Sequence, residues 1–264
     1  MTDEVQQAGT EQAMHPSFLK VLGQKQEIGK RLSGIKHKIG IYSAKGGVGK
    51  TTVAVNLAFA LSSMGFGVGL LDADIDTPNV DLFLGMHGLS NPEYPLKPAV
   101  KDGVRVISTA MFVDDQRKPI IWRGPMIGKM ISEFLGNTEW GELDYLIVDL
   151  PPGTSDSPLS IMQLLDMDGF VLVTTPQHIA AVNAIRSGRM AKRMGIPIIG
   201  VVENMSDGSA RGAREVAGSL GCEVLGLIGM DRKLDEFSDG GVVAFLNDDL
   251  VRREFEAIAR KIAG

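Results

Sequence analysis

Cysteine is almost missing from this chain, which has only Cys222 among its 264 residues. A single thiol excludes an intrachain disulfide and is typical of proteins from reducing compartments. No apolar run reaches the roughly 20 residues that a membrane-spanning helix needs. The N-terminal residues contain neither an apolar signal region nor a Met-Gly start for myristoylation. Together these absences predict a cytoplasmic protein with no membrane partner.

A large excess of either charge is also absent. The chain has 27 Lys and Arg against 32 Asp and Glu, and its net charge is −5. This balance disfavours nucleic acid as a partner, because such binding relies on a strongly basic surface. The length suffices for one large domain with a sizeable core. We expect residues 35–264 to form that single domain.

The first 34 residues are expected to be a polar tail followed by a short helix. Residues 1–16 are rich in Gln, Thr and Glu, which is typical of disorder. From Ser17 to Ser33 the apolar residues Phe18, Leu22, Ile28 and Leu32 fall near one helical face. That face either docks on the domain or binds a partner or a membrane, and the pattern leaves both open.

The most informative stretch is residues 40–52, with the sequence Gly-Ile-Tyr-Ser-Ala-Lys-Gly-Gly-Val-Gly-Lys-Thr-Thr. An apolar strand precedes it and a helical pattern begins near Lys50, so the segment between them (the phosphate loop, residues 44–52) is predicted to bind phosphate. Glycines let backbone N–H groups approach an anion, and the helix directs its positive end at the same point. The predicted nucleotide-binding residues here are Gly46, Gly47, Val48, Gly49, Lys50, Thr51 and Thr52.

Two residues of this loop carry specific chemistry. Lys50 is expected to reach the β- and γ-phosphates, and the Thr51 hydroxyl to ligate Mg²⁺. The usual pattern has a glycine six residues before the lysine, where this chain has Ala44. A second lysine, Lys45, stands at the start of the loop.

Acidic residues follow two other apolar strands. Val68 begins a strand that ends in Asp72, Asp74 and Asp76, and Leu143 begins one that ends in Asp149. Ligands of α/β proteins bind at the carboxyl ends of parallel strands, so these carboxylates are expected beside the phosphate loop. Asp149 and the glycine after it, Gly153, fit the pattern in which an aspartate holds the water shell of Mg²⁺ and a glycine N–H senses the γ-phosphate.

These motifs resemble one class of P-loop ATPases. The phosphate loop is similar to the deviant Walker A loop of the MinD, ParA and nitrogenase-iron-protein class. The segment Asp-Leu-Pro-Pro-Gly-Thr at residues 149–154 resembles the Mrp/ApbC subfamily, whose best-known members carry iron–sulfur clusters. The resemblance runs from about Ile35 to the C-terminus. It implies an ATP hydrolase, with slow turnover expected, that binds ATP and Mg²⁺ and works as a nucleotide-switched homodimer.

The resemblance also implies roles for single residues. Lys45 corresponds to the signature lysine that contacts nucleotide across the dimer interface. Asp74 resembles the aspartate that orients the attacking water, whereas Asp72 and Asp76 are open between catalysis and holding their loop. Asn204, at a strand end, resembles the asparagine that recognises adenine. The catalytic set is therefore Lys45, Lys50 and Asp74, and the Mg²⁺ set is Thr51 and Asp149.

The chain departs from the subfamily in its cysteines. Mrp-type proteins usually have a Cys-X-X-Cys soon after the asparagine, where residues 206–212 here read Ser-Asp-Gly-Ser-Ala-Arg-Gly. An iron–sulfur cluster in the family's manner is therefore not expected. Cys222 is interpreted as a buried free thiol. A cysteine-bearing iron–sulfur or target protein is the expected partner beside a second copy of the chain.

Two further segments have open interpretations. Residues 118–125 resemble a segment before a helix in Mrp-type proteins, and there Trp122 is either an interface anchor or a core residue. The last helix, residues 248–263, is expected to dock through Leu250, Phe255, Ile258 and Ile262 rather than to bind a membrane, because its basic and acidic residues are interleaved.

Alternating strands and helices predict a doubly wound α/β fold with a mostly parallel sheet and helices on both faces. The function predicted first is an ATPase in iron–sulfur cluster assembly or transfer. A MinD/ParA-like positioning ATPase and a regulatory nucleotide-binding protein with little turnover are the alternatives.

Overall fold

A computed structural model describes residues 16–75, 77–86, 95–108, 110, 132, 134–154 and 156–264. Its centre is a sheet of eight strands in the order β3-β4-β2-β5-β1-β6-β7-β8. The strands are β1 (Ile35–Tyr42), β2 (Val68–Asp72), β3 (Ala99–Lys101), β4 (Val104–Ser108), β5 (Leu143–Asp149), β6 (Gly169–Thr174), β7 (Ile198–Ser206) and β8 (Glu223–Gly229). All neighbours pair in parallel except β3 and β4. The predicted fold class is thus confirmed.

Helices cover both faces of the sheet. They are α1 (Pro16–Arg31), α2 (Lys50–Ser63), α3 (Val80–Phe83), α4 (Asp156–Leu164), α5 (His178–Arg193), α6 (Arg211–Leu220), α7 (Arg232–Asp239), α8 (Ala244–Asn247) and α9 (Asp249–Ala263). Side chains alternate between faces along β1, so Ile39 and Ile41 join one apolar cluster and Tyr42 joins the other. The two clusters fix the sheet between its helical layers.

The helix that follows the phosphate loop is held on two sides. α2 packs on β1, β2 and β5 and is covered by α9. Ten of its residues, from Lys50 to Leu61, are buried. Because burial stabilises a helix mainly through its apolar contacts, this position gives the loop at the N-terminus of α2 a rigid support.

The last helix corrects one prediction. Leu250 was expected in the core-facing stripe of α9, but its side chain is 54% exposed. Val251 is buried in its place, together with Phe255 and Ile258. Asp248 caps the helix with a carboxylate that accepts hydrogen bonds from the N–H groups of Leu250 and Val251. The cap sets where the first turn begins, and that turn directs Val251 rather than Leu250 toward the sheet.

The described end of α1 is docked on the domain, as one of the two interpretations expected. Ile28 and Leu32 are buried, and Lys25 forms an ion pair with Asp166. The tail before Pro16, Asp76 and residues 118–125 with Trp122 lie outside the described residues. Within the described part of the chain, no helix combines the length and apolar character that crossing a membrane requires.

Candidate nucleotide site

One edge of the sheet collects the predicted site. β1, β2, β5 and β7 run parallel, so their carboxyl ends lie at the same edge. The phosphate loop follows β1, Asp74 follows β2, Asp149 ends β5 and Asn204 lies near the end of β7. The fold therefore brings together side chains from four separate segments.

The backbone of the phosphate loop depends on its glycines. Gly47 and Gly49 have φ values of 74° and 86°, a left-handed conformation that favours glycine. A Cβ atom on Gly49 would overlap the amide nitrogen of Asn204. Val48, between them, is fully buried and anchors the loop on the core. The first N–H groups of α2 then lie at the end of the loop, where an anion is favoured.

Lys50 is an unusual lysine because only 8% of it is exposed. Burial lowers the pKa of its ammonium group, and the carboxylates of Asp149 and Asp74 oppose that shift. A cation held in this way, among carboxylates at the start of a helix, is suited to a polyphosphate that adds negative charge.

Thr51 and Asp149, the two residues predicted to hold Mg²⁺, are in direct contact. The Thr51 hydroxyl donates to Asp149 Oδ2 at 2.6 Å. Asp149 Oδ1 is buried and has no hydrogen-bond partner among the described residues. Burial raises the pKa of Asp149 to about 7. A hydroxyl and a buried, unsatisfied carboxylate oxygen are hard donors that fit Mg²⁺ and its water shell.

Asp72 and Asp74 have different surroundings. The buried Asp72 carboxylate accepts hydrogen bonds from the N–H groups of Asp74, Asn79 and Val80 and from the Ser108 hydroxyl. Its oxygens thereby hold the loop after β2, which is the second of the two roles that the sequence leaves open for Asp72. Asp74 is only half-buried, and its carboxylate accepts from the N–H and hydroxyl of Thr77. Asp74 thus remains at the surface of the site, as a water-orienting role requires.

Gly153 is joined to the start of the phosphate loop. Its N–H donates to the Ala44 carbonyl at 2.9 Å, and its own carbonyl accepts from the Tyr42 hydroxyl at 2.7 Å. Its φ of 93° requires glycine. Sequence reasoning missed Tyr42, and also Ser187, whose hydroxyl accepts from the Ala44 N–H. The only signal for Tyr42 was a side chain with a polar tip on a buried strand.

Asn204 contributes to both the loop and a cleft beside it. Its amide nitrogen donates to the Val48 carbonyl at 3.0 Å. The cleft has a volume of about 280 Å³ and mixes apolar and polar walls, as a nucleobase pocket does. Its lining consists of Thr52, Asn204, Met205, Gly229, Met230, Asp231, Leu234 and Asp235.

Lys45 lies at the opposite end of the loop from Lys50. Its ammonium nitrogen is 3.3 Å from the side-chain oxygen of Gln177, just before α5. Lys45 is thus outside the cluster around Asp149, in a half-buried position at the surface. A lysine placed there is partly accessible from the surface of the chain.

Cys222 lies far from the residues of the candidate nucleotide site. It directly precedes β8, so it lies at the edge of the sheet opposite the phosphate loop, about 20 Å away along the strand. Its side chain is half-buried rather than fully buried as expected, and burial raises the pKa of its thiol. Among the described residues, no three His, Cys, Asp or Glu side chains group as metal ligands. The donor set of the described chain therefore does not fit an iron–sulfur cluster.

Comparison with known proteins gives a consistent result. A family model described as NUBPL iron-transfer P-loop NTPase matches residues 34–263. An iron-sulfur cluster carrier protein of Methanocaldococcus jannaschii is 44% identical, covering 94% of this chain and 91% of the relative. Another from Aquifex aeolicus is 40% identical, covering 89% of this chain and 69% of the relative.

Solved structures agree with the fold. A nucleotide-binding protein of Archaeoglobus fulgidus in complex with ADP is 34% identical, with a TM-score of 0.70 over 85% of this chain and 94% of its own. The septum site-determining protein MinD of Pyrococcus horikoshii, with Mg-ADP, has a TM-score of 0.67 over 86% of this chain and 96% of its own. At 22% identity the second likeness concerns the fold alone.

Proposed function

This chain belongs to the family of NUBPL iron-transfer P-loop NTPases, and on that premise we propose that it binds Mg²⁺·ATP and hydrolyses ATP slowly as a nucleotide-switched homodimer. We place its activity in iron–sulfur cluster assembly or transfer, as the names of its relatives suggest. The cluster is cargo in this proposal. A cysteine-bearing partner holds it, because Cys222 lies at the wrong edge of the sheet.

One observation carries the nucleotide assignment. Lys50 is buried beside Asp149, and Asp149 is bonded to Thr51 while its second oxygen lacks a partner among the described residues. A buried, unsatisfied carboxylate oxygen is costly unless a cation or its water shell completes the site. Lys50 and Thr51 belong to the phosphate loop, which would bind the anion that such a cation accompanies.

Different residues of the chain bind the phosphates, Mg²⁺, the attacking water and the base. Backbone N–H groups of residues 46–52 cradle the phosphates, and Lys50 neutralises charge on the β- and γ-oxygens. Thr51 and Asp149 hold the Mg²⁺ site, and Mg²⁺ when bound neutralises charge that develops on the phosphates. Asp74 orients water for attack on the γ-phosphorus. Asn204 and the adjoining cleft take the base through amide hydrogen bonds.

Dimerisation follows from Lys45. Its position at the loop surface, with the neutral Gln177 as its hydrogen-bond partner among the described residues, leaves its charge available to the nucleotide of a second subunit. A cation that completes the site from another subunit makes hydrolysis depend on association. ATP binding and hydrolysis would then open and close the dimer, and this motion is what a cluster-bearing partner would sense.

The test of the nucleotide assignment is Lys50→Ala. We expect ATP binding to be lost in calorimetry while the circular dichroism spectrum is retained, because the buried ammonium contributes charge to phosphate rather than contacts to the core. Lys36→Ala is the matched control, since Lys36 lies at the opposite end of β1 and pairs with Asp144. Unchanged ATP affinity in folded Lys50→Ala protein would refute the assignment.

The cluster role needs a separate measurement. A cysteine-bearing scaffold loaded with a cluster, and an apo-acceptor, are incubated anaerobically with this protein and ATP. We expect faster acceptor reconstitution with the wild type than with the Lys50→Ala variant. Equal rates with both proteins would argue against a role in cluster transfer and leave the ATPase assignment intact.

A further inference from the structure

The two peptide groups on either side of the Gly153 Cα atom are both bonded to the segment that opens the phosphate loop. The N–H donates to Ala44 O, and the carbonyl accepts from the Tyr42 hydroxyl. Both partners lie within three residues of each other at the end of β1. The loop after β5 is therefore tied to the loop after β1 by two hydrogen bonds.

The Tyr42 hydroxyl is well placed to hold this connection. The Tyr42 side chain is fully buried, and its ring packs on Phe170 with a centroid distance of 5.6 Å. The Tyr42 hydroxyl donates to the Gly153 carbonyl at 2.7 Å, and the Ser187 side chain is its other hydrogen-bonding neighbour. Burial raises the pKa of Tyr42 to about 12, which keeps the hydroxyl protonated and able to donate at physiological pH.

Ser187 on α5 holds Ala44, the residue whose carbonyl accepts from the Gly153 N–H. Its hydroxyl accepts from the Ala44 N–H at 2.6 Å and donates to the Asn183 carbonyl at 3.0 Å. Ala44 is thus held from the helix side while its carbonyl holds Gly153. The chain of contacts runs from α5 through the start of the phosphate loop to the loop after β5.

This arrangement is incompatible with the γ-phosphate contact that the sequence predicts for the Gly153 N–H. An N–H that donates to Ala44 O cannot also give a full hydrogen bond to a γ-phosphate. To contact that phosphate, the Gly153 peptide must turn and leave Ala44. A movement that displaces the Gly153 Cα atom also moves the Gly153 carbonyl, because both groups are bonded to that atom.

We propose that Tyr42 is a positioning residue that latches Gly153 in the conformation without a γ-phosphate contact, so that its hydroxyl sets the free-energy difference between the ADP-bound and ATP-bound states. This inference rests on the proposed function and on the sequence-based prediction that Gly153 senses the γ-phosphate. Tyr42 touches neither nucleotide nor metal in this role and acts only through Gly153.

The variant that tests the latch is Tyr42→Phe, which keeps the buried ring and removes the hydroxyl. One buried hydrogen bond corresponds to a change of about two- to tenfold in an equilibrium constant. We expect affinity for a non-hydrolysable ATP analogue to rise by this factor while affinity for ADP is unchanged. Tyr145→Phe, which removes a tyrosine hydroxyl from β5 and retains the ring, should leave both affinities unchanged.

Amide hydrogen exchange without nucleotide gives an independent readout. Exchange of the Gly153 amide should be about two- to tenfold faster in Tyr42→Phe, because opening of the latch costs less free energy. Ser187→Ala, which removes the contacts of the Ser187 hydroxyl with both Ala44 and Tyr42, should act in the same direction, and it serves as a second variant if Tyr42→Phe does not fold. Thermal unfolding of each variant establishes that the fold is retained.

The outcomes separate the latch from the proposed function. An unchanged ratio of ATP-analogue to ADP affinity in folded Tyr42→Phe, or a lower one, would overturn the latch while the wild type still binds ATP. Unchanged Gly153 exchange would overturn it equally. If the wild type binds no nucleotide at all, the proposed function itself fails.

Discussion

The Thr51 hydroxyl donates a 2.6 Å hydrogen bond to Asp149 Oδ2 and so joins the first turn of α2 to the carboxyl end of β5. These residues are 98 positions apart in the chain. The other Asp149 oxygen is left without a partner among the described residues. The pair therefore presents one unpartnered carboxylate oxygen to the proposed Mg²⁺ site, and the first prediction follows from it.

Asp149→Asn should raise the Mg²⁺ concentration needed for half-maximal ATPase activity. The neutral amide cannot hold the water shell of the ion as a carboxylate does, and losses of this kind are on the order of 10- to 100-fold. Magnesium titration of initial rates measures the shift. Asp144→Asn is the matched control, because Asp144 lies at the other end of β5. Equal Mg²⁺ dependence in Asp149→Asn and wild type would contradict the assignment.

Asp74→Asn should bind ATP normally and lose turnover. The amide keeps an oxygen that can accept from the Thr77 N–H, so the loop is preserved, but it no longer orients or deprotonates water. A positioned acid or base contributes about 10²- to 10⁴-fold in rate. Phosphate-release assays at saturating ATP, with the exposed Asp239→Asn as control, give the comparison. Wild-type turnover in Asp74→Asn would exclude this role.

Lys45→Ala should bind ATP but hydrolyse it poorly and dimerise weakly. Charged groups supplied from a second subunit contribute on the order of 10³- to 10⁵-fold in rate. Single-turnover assays and sedimentation with an ATP analogue measure the two effects. Lys101→Ala, on β3 at the far edge of the sheet, is the control. A wild-type protein that stays monomeric with ATP at every concentration would rule the mechanism out.

The protein alone should bind no stable [4Fe–4S] cluster in the manner of its relatives. Two subunits offer two Cys222 thiolates at most, and a cluster normally takes four. Both thiolates also lie at the edge of the sheet away from the nucleotide. Anaerobic reconstitution followed by iron and sulfide analysis tests this. A content of about four irons per dimer that disappears in Cys222→Ser would show the prediction wrong.

Asp248 gives a prediction for stability against pH. Its carboxylate caps α9, and the hydrogen bond from the Val251 N–H is the main reason that its pKa lies below the ordinary value of 3.8. Because the pKa is lower in the folded chain than in the unfolded chain, the stabilisation is fully present at neutral pH. It is lost as the pH falls below about 4 and through the folded-state value.

The matching experiment compares Asp248→Ala with Asp249→Ala. Thermal unfolding of Asp248→Ala should be displaced to lower temperature at pH 7, and the displacement should shrink as the pH falls below about 4. Asp249 lies in the same turn but is exposed and caps nothing, so its loss should matter little. A displacement independent of pH would show that the cap does not act through its charge.

The sequence alone predicts which segments meet at the candidate nucleotide site. The glycines, Lys50 and Thr51 have fixed spacing, and a parallel sheet then brings Asp149 and Asn204 to the same edge. Leu250 was assigned to the wrong side of α9 because the apolar period does not show where the Asp248 cap begins the first turn. Periodicity gives the spacing of the apolar residues along a helix. The capping residue determines which of them face the sheet, because it sets where the first turn begins.

The Gly153 connection could not be predicted in the same way. It joins residues 42 and 153, and Ser187 joins it from a third segment. Each is an ordinary residue in its own segment, and only the packing of β1, β5 and α5 brings them within hydrogen-bond distance. Contacts of this kind lack a local pattern, whereas a phosphate loop has one because its chemistry is contained in a single turn of chain.

Cys222 gives the protein one native position for chemical labelling. A spin label or fluorophore coupled there is remote from the nucleotide loops, because a full strand length separates them. In a dimer closed over the two nucleotide edges, the labels would stand on the outer sides of the assembly, at least about 40 Å apart. A label on this thiol would therefore report the proposed opening and closing of the dimer.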